Sequence, residues 1–62
     1  MLIRKIEVFL RRTRMPPTKF GRLATRDPQF VFDLRRGRSP RPETETRVEH
    51  FMNIYREEPH AS

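Results

Sequence analysis

Prolines at positions 16, 17, 28, 40 and 42 cut this 62-residue chain into short stretches. A proline ring fixes φ, removes a backbone donor and pushes the preceding residue out of the helical region. No helix can therefore run through these points, although each proline tolerates the first position of a new one. Between the breaks, apolar residues recur at spacings of three and four, the period of a helix buried on one side. The chain is expected to be all-α, a compact bundle of about four short helices.

In the first stretch Leu2, Ile3, Ile6, Phe9 and Leu10 form one stripe, with Arg4, Lys5, Glu7, Arg11 and Arg12 elsewhere and Val8 off its centre. This helix should end near Arg14 or Met15. A second, starting at Pro17, runs to Ala24 with Phe20, Leu23 and Ala24 inward. Gly21 within it costs about 1 kcal/mol relative to alanine, so its presence predicts a close backbone crossing there. Asp27-Pro28 is a start signal, because an aspartate can accept from the free amides of a first turn. The third helix is predicted over 28–36, closed by Gly37 as a left-handed cap. Its inner face is Phe30, Val31 and Leu34, leaving Gln29, Phe32, Asp33 and Arg36 pointing outward. A stiff basic loop, Arg38-Ser39-Pro40-Arg41-Pro42, leads to a last helix from Glu43 or Thr44. There Val48, Phe51, Met52 and Tyr55 recur at i, i+3, i+4 and i+7, Ile54 flanks the stripe, and Glu43 and Glu45 complement the helix dipole. One domain over 1–56 and a frayed tail over 57–62 are expected.

A chain of this size buries only about 60% of its unfolded surface. With 34% hydrophobic residues, no Trp and a mean hydropathy of −0.89, the core must be thin. Little is left to line a substrate cavity. With no cysteine, neither disulfides nor a thiolate zinc site can staple the domain, so helix packing must hold it. The opening MLIRKIEVFLRR mixes apolar and charged residues and never forms the run that a signal peptide or membrane span needs. A cytoplasmic, nucleoid-associated location is expected.

The formal charge is +6, and it is unevenly spread. Residues 1–41 carry twelve basic and three acidic side chains, whereas residues 42–62 carry two and five. Polyanions are the natural partners of such a surface. All but two of the basic residues are arginine, whose planar fork binds phosphate oxygens or the O6/N7 edge of guanine bidentately.

A short helix, a tight turn and a second short helix with a polar outer face is the order of a helix-turn-helix. The stretch TKFGRLATRDPQFVFDLRRGRSPRPETETRVEHF resembles the core of the lambda-repressor-like (Xre-type) helix-turn-helix family, especially its short, basic bacterial and phage members. Phe20-Gly21 falls where that family has an apolar residue followed by alanine. Val31 and Leu34 fall at buried positions of its recognition helix, and Gly37 at the glycine that closes it. The Arg38-Ser39-Pro40 loop and the Thr and Val of the next helix continue the likeness. Two features depart from the pattern: Thr25 stands where the turn usually has glycine, and the chain lacks the further helix often used for dimer contacts. The resemblance therefore does not imply dimerisation, and a homodimer on DNA remains open.

The resemblance implies sequence-specific binding of double-stranded DNA and a role in transcription regulation, with no cofactor. Gln29 becomes the first base reader, its amide bonding bidentately to adenine, and Phe32 a contact for a thymine methyl. Thr18 and Lys19, opening the second helix, would meet phosphate. Arg26, Arg35, Arg36, Arg38 and Arg41 would flank the groove. Asp33 is either a cytosine reader or, more simply, an ion-pair partner of Arg36 or Arg26.

Catalysis has little support, because His50 and His60 are far apart and no nucleophile, base or metal-ligand spacing is present. Glu43, Glu45 and Glu49 read as a solvated acidic face. The main alternative is a protein-binding adaptor contacting RNA polymerase or another regulator, with Phe32, Tyr55 and Ile54 as an exposed anchor. A membrane-surface role for the first helix is weaker, since its apolar stripe is needed for the core.

Overall fold

The computed structural model describes residues 1–55 and shows four helices. These are α1 (Leu2–Thr13), α2 (Pro17–Thr25), α3 (Phe30–Arg35) and α4 (Pro42–Ile54). The expected tail over 57–62, with His60, lies outside the described residues. Among the described residues there is no strand, and no helix is long and apolar enough to cross a membrane.

Side-chain chemistry and proline placement set the boundaries. α1 closes as Thr13 Oγ1 donates to the Phe9 carbonyl at 2.8 Å and accepts from the Met15 amide at 3.3 Å. Arg14 then takes a left-handed conformation (φ 58°) that reverses the chain. Met15, which periodicity does not assign to the core, is thereby buried. Pro17 and Pro42 each occupy the first position of their helices, so α4 starts one residue earlier than Glu43.

The third helix is shorter than the predicted 28–36. Asp27 Oδ1 accepts from the Gln29 amide at 3.0 Å, and the Asp27 carbonyl accepts from Phe30 N at 3.1 Å. Pro28 and Gln29 thus form a tight turn, and helical pairing begins at Phe30. At the other end Gly37 N bonds to Leu34 O at 3.0 Å and Arg38 N to Asp33 O at 3.1 Å, with Gly37 at φ 102°. This is a Schellman closure with glycine at its left-handed position.

A six-residue helix is unstable alone, so its position depends on what it buries. Phe30, Val31 and Leu34 are all buried, each contributing roughly 1.5–3 kcal/mol. They join Leu2, Ile6, Phe9, Leu10, Phe20, Ala24 and Val48 in one core, against which Ile3, Phe51, Met52 and Tyr55 are partly buried. Aromatic edges organise its centre: Phe20 meets Phe9 at 5.5 Å and Phe51 at 5.4 Å between centroids, and Tyr55 meets Phe9 at 5.4 Å.

Leu23 corrects the sequence reading. It was expected on the inner face of α2 but is 52% exposed. The buried stripe is Phe20, Gly21 and Ala24, because α2 turns its Gly21 side toward the α3 turn and carries Leu23 out to the rim. A Cβ on Gly21 would collide with the Asp27 carbonyl oxygen and lie 3.2 Å from its carbon. The close crossing predicted at Gly21 is therefore real. Val8 is exposed, in keeping with its place off the α1 stripe.

Candidate nucleic-acid interface

The turn between α2 and α3 is built around the Gly21 carbonyl, which accepts from Thr25 Oγ1 at 3.0 Å and from the Asp27 amide at 3.1 Å. Thr25 thus stays helical. The left-handed residue of the turn is Arg26 (φ 62°), whose amide bonds to Arg22 O at 3.0 Å. A left-handed conformation costs a residue with a Cβ about 1–2 kcal/mol. Glycine or asparagine would sit there more cheaply, yet the chain places an exposed arginine.

With the inner face of α3 committed to the core, its flanks carry Gln29 at the leading turn and Arg36 at the trailing one, both exposed. Among the described residues, the side chains of Lys19, Arg26, Gln29, Arg36 and Arg41 make no hydrogen bond or ion pair with one another or with anything else. All five are exposed, while Thr18 is half-buried in the first turn of α2.

The other candidate residues are already engaged. Arg38 Nη1 donates to Asp33 Oδ2 at 2.8 Å, so the partner of Asp33 is Arg38 and neither Arg36 nor Arg26. The Schellman turn at Gly37 folds Arg38 back over the helix end. Arg35 was expected to flank the groove as a free cation. Instead its Nε and Nη2 donate to the two oxygens of Glu7 on α1, at 2.7 and 3.0 Å. The same guanidinium lies 5.7 Å from the Phe32 ring centroid. Phe32, expected to point largely outward, is half-buried.

Glu7 is the residue that sequence reasoning missed. Its only signal was being the sole acid before Asp27 in a strongly basic stretch. The hydrogen bonds from Arg35 hold its carboxyl below the usual glutamate range against an opposing effect of burial, and the charges of Arg35 and Arg11 add to the lowering. The guanidinium of Arg35 is raised in turn, chiefly by those hydrogen bonds.

Of the three residues expected to anchor a protein adaptor, Ile54 is exposed, whereas Phe32 and Tyr55 are half-buried. Tyr55 packs against Phe9 and Phe51, and Phe32 lies beneath Arg35. Among the described residues no group of three His, Asp or Glu side chains could hold a metal ion, and His50 is an exposed position of α4. No protein-family model, curated protein or solved structure matches the chain.

Proposed function

We propose that this chain is a sequence-specific double-stranded DNA-binding protein acting in transcription regulation, with α2 and α3 as a helix-turn-helix and residues 28–36 entering the major groove. The observation that carries the proposal is the division of labour on α3. Phe30, Val31 and Leu34 lock its inner side, while Gln29 and Arg36 beside it and Arg26 in the preceding turn are exposed and make no partner among the described residues.

An exposed glutamine at the leading end of such a helix suits bidentate bonding to adenine N6/N7. Arg26, which shares its left-handed backbone with Arg14 at the end of α1, places a further exposed cation in the turn between α2 and α3. Lys19, Arg36 and Arg41 would supply phosphate contacts, and most of the affinity would come from counterion release. Arg38 would reach phosphate only on loosening its bond to Asp33.

The test is a titration of a random duplex and a duplex selected from a random pool, using wild type, Gln29→Ala and Arg36→Ala at two salt concentrations. Gln29→Ala should lose roughly 1–3 kcal/mol of discrimination at one base pair. Arg36→Ala should weaken all duplexes alike and lower the salt slope by about one unit. Absence of binding to any duplex at low salt refutes the proposal and leaves the adaptor reading in front. If a dimer binds, its half-sites should be centred about 34–36 Å apart.

A further inference from the structure

Glu7, Arg35 and Phe32 form a chain of contacts from α1 to the outer side of α3. Arg35 alone would not stay over the Phe32 ring, because a long side chain with free torsions is poorly localised by one exposed cation–π contact. The second anchor changes this. Glu7 sits beside buried Ile6 on a helix pinned by Phe9 and Leu10, so its backbone is rigid. Its two oxygens take Nε and Nη2 of Arg35 at 2.7 and 3.0 Å, a planar fork that sets the orientation of the guanidinium as well as its position. The guanidinium so held lies 5.7 Å from the Phe32 centroid and covers one side of the ring.

We propose that Glu7 is a positioning residue for base recognition: by holding Arg35 it fixes the Phe32 ring, whose remaining exposed edge reads the methyl group of a thymine. The proposal rests on the DNA-binding reading above. It assigns Arg35 to the support of a reading side chain and takes it out of the phosphate contacts. A side chain that reads a single methyl must be held to a fraction of an ångström, and supporting contacts of this kind provide that.

The experiment uses a duplex selected by the wild-type protein from a random pool, in which each thymine is replaced singly by deoxyuridine so that only a methyl is removed. Wild type should lose about fourfold in affinity at one position, the worth of one buried methyl. Glu7→Gln and Arg35→Lys should bind the methylated and demethylated duplexes alike, while keeping the salt slope and the preference that depends on Gln29. Neither change touches a buried residue, Arg35→Lys retains the charge, and far-ultraviolet circular dichroism verifies the fold of each.

Three results overturn the proposal and leave DNA binding intact. The variants could retain the fourfold discrimination. Glu7→Gln could bind more tightly with a salt slope steeper by about one ion, making Arg35 a phosphate contact that Glu7 restrains. Wild type could select a sequence without sensing any thymine methyl. Failure of wild type to bind any duplex removes the DNA-binding reading itself, and this inference with it.

Discussion

Replacing Gly21 with alanine sets two calculable effects against each other. On an isolated helix the change stabilises by about 1 kcal/mol, through reduced backbone entropy in the unfolded chain. Here the new methyl would meet the Asp27 carbonyl oxygen, with the Asp27 and Pro28 carbonyl carbons at 3.2 and 3.4 Å. These are backbone atoms, and they cannot swing aside as the end of a flexible side chain could. The Asp27 carbonyl is further held by Phe30 N and its amide by Gly21 O, each at 3.1 Å. Relief therefore requires α3 to move off α2. Overpacking of this kind costs typically 1–3 kcal/mol, and an immobile obstacle puts the cost at the upper end. The net destabilisation is about 2 kcal/mol, which for a domain this small lowers Tm by roughly 8–16 °C. Thermal unfolding followed by circular dichroism at 222 nm measures it. Gly37→Asn is the matched control: no atom lies within 4 Å of a Cβ there, and asparagine tolerates positive φ, so the loss should stay below about 1 kcal/mol. A Gly21→Ala protein melting at or above wild type would refute the close approach of α2 to the α3 turn.

Phe20→Ala removes a fully buried ring that meets Phe9 and Phe51 edge-on, and should cost about 3–5 kcal/mol. Total stability for a chain of this length is on the order of 3–9 kcal/mol, so the urea midpoint should fall by at least about a third. Leu23→Gln, at a rim position, should change stability by less than about 0.5 kcal/mol in the same assay; a larger loss would place Leu23 in the core. Arg26→Gly relieves the left-handed backbone and should raise stability by about 0.5–1 kcal/mol while weakening DNA binding, whereas a fall in both would mean that the arginine is structural. Glu7 has a depressed folded-state pKa, so its pairing contributes fully above the ordinary glutamate value near 4.3 and is lost as pH falls through the lower folded value. The stability gap between wild type and Glu7→Gln, of the order of a strong surface pair at about 0.5–1 kcal/mol, should accordingly be flat near neutrality and close in acid.

Most of the helical framework was legible because its causes are local. Pro17, Asp27 and Gly37 act through their own φ angles and nearest amides, and the stripes through Ile6, Phe30 and Val48 follow from a period of 3.6. Gly21 was legible for a related reason, since an expensive residue in a helix signals a neighbour that admits no side chain. The basic stretch, and Gln29 and Arg36 as exposed flanks of the third helix, were legible from composition and helical phase.

Helical phase does not say how a helix is rotated against its neighbours. Leu23 shares its nominal face with Phe20, but which edge of that face is buried depends on α2 turning Gly21 toward Asp27. The choice of ion-pair partner is likewise tertiary. Asp33 was expected to pair with Arg36 or Arg26, and it took Arg38 because the Gly37 turn folded that residue back. Arg35 looked like one more groove cation until α1 brought Glu7, twenty-eight positions away, within 2.7 Å. The sequence by itself determined where the chain can be helical and where its positive charge is carried, since both depend on each residue and its nearest neighbours. Which arginines are left without an ion pair among the described residues was decided only when the helices packed, because a charge is neutralised by whichever opposite charge the fold brings alongside it.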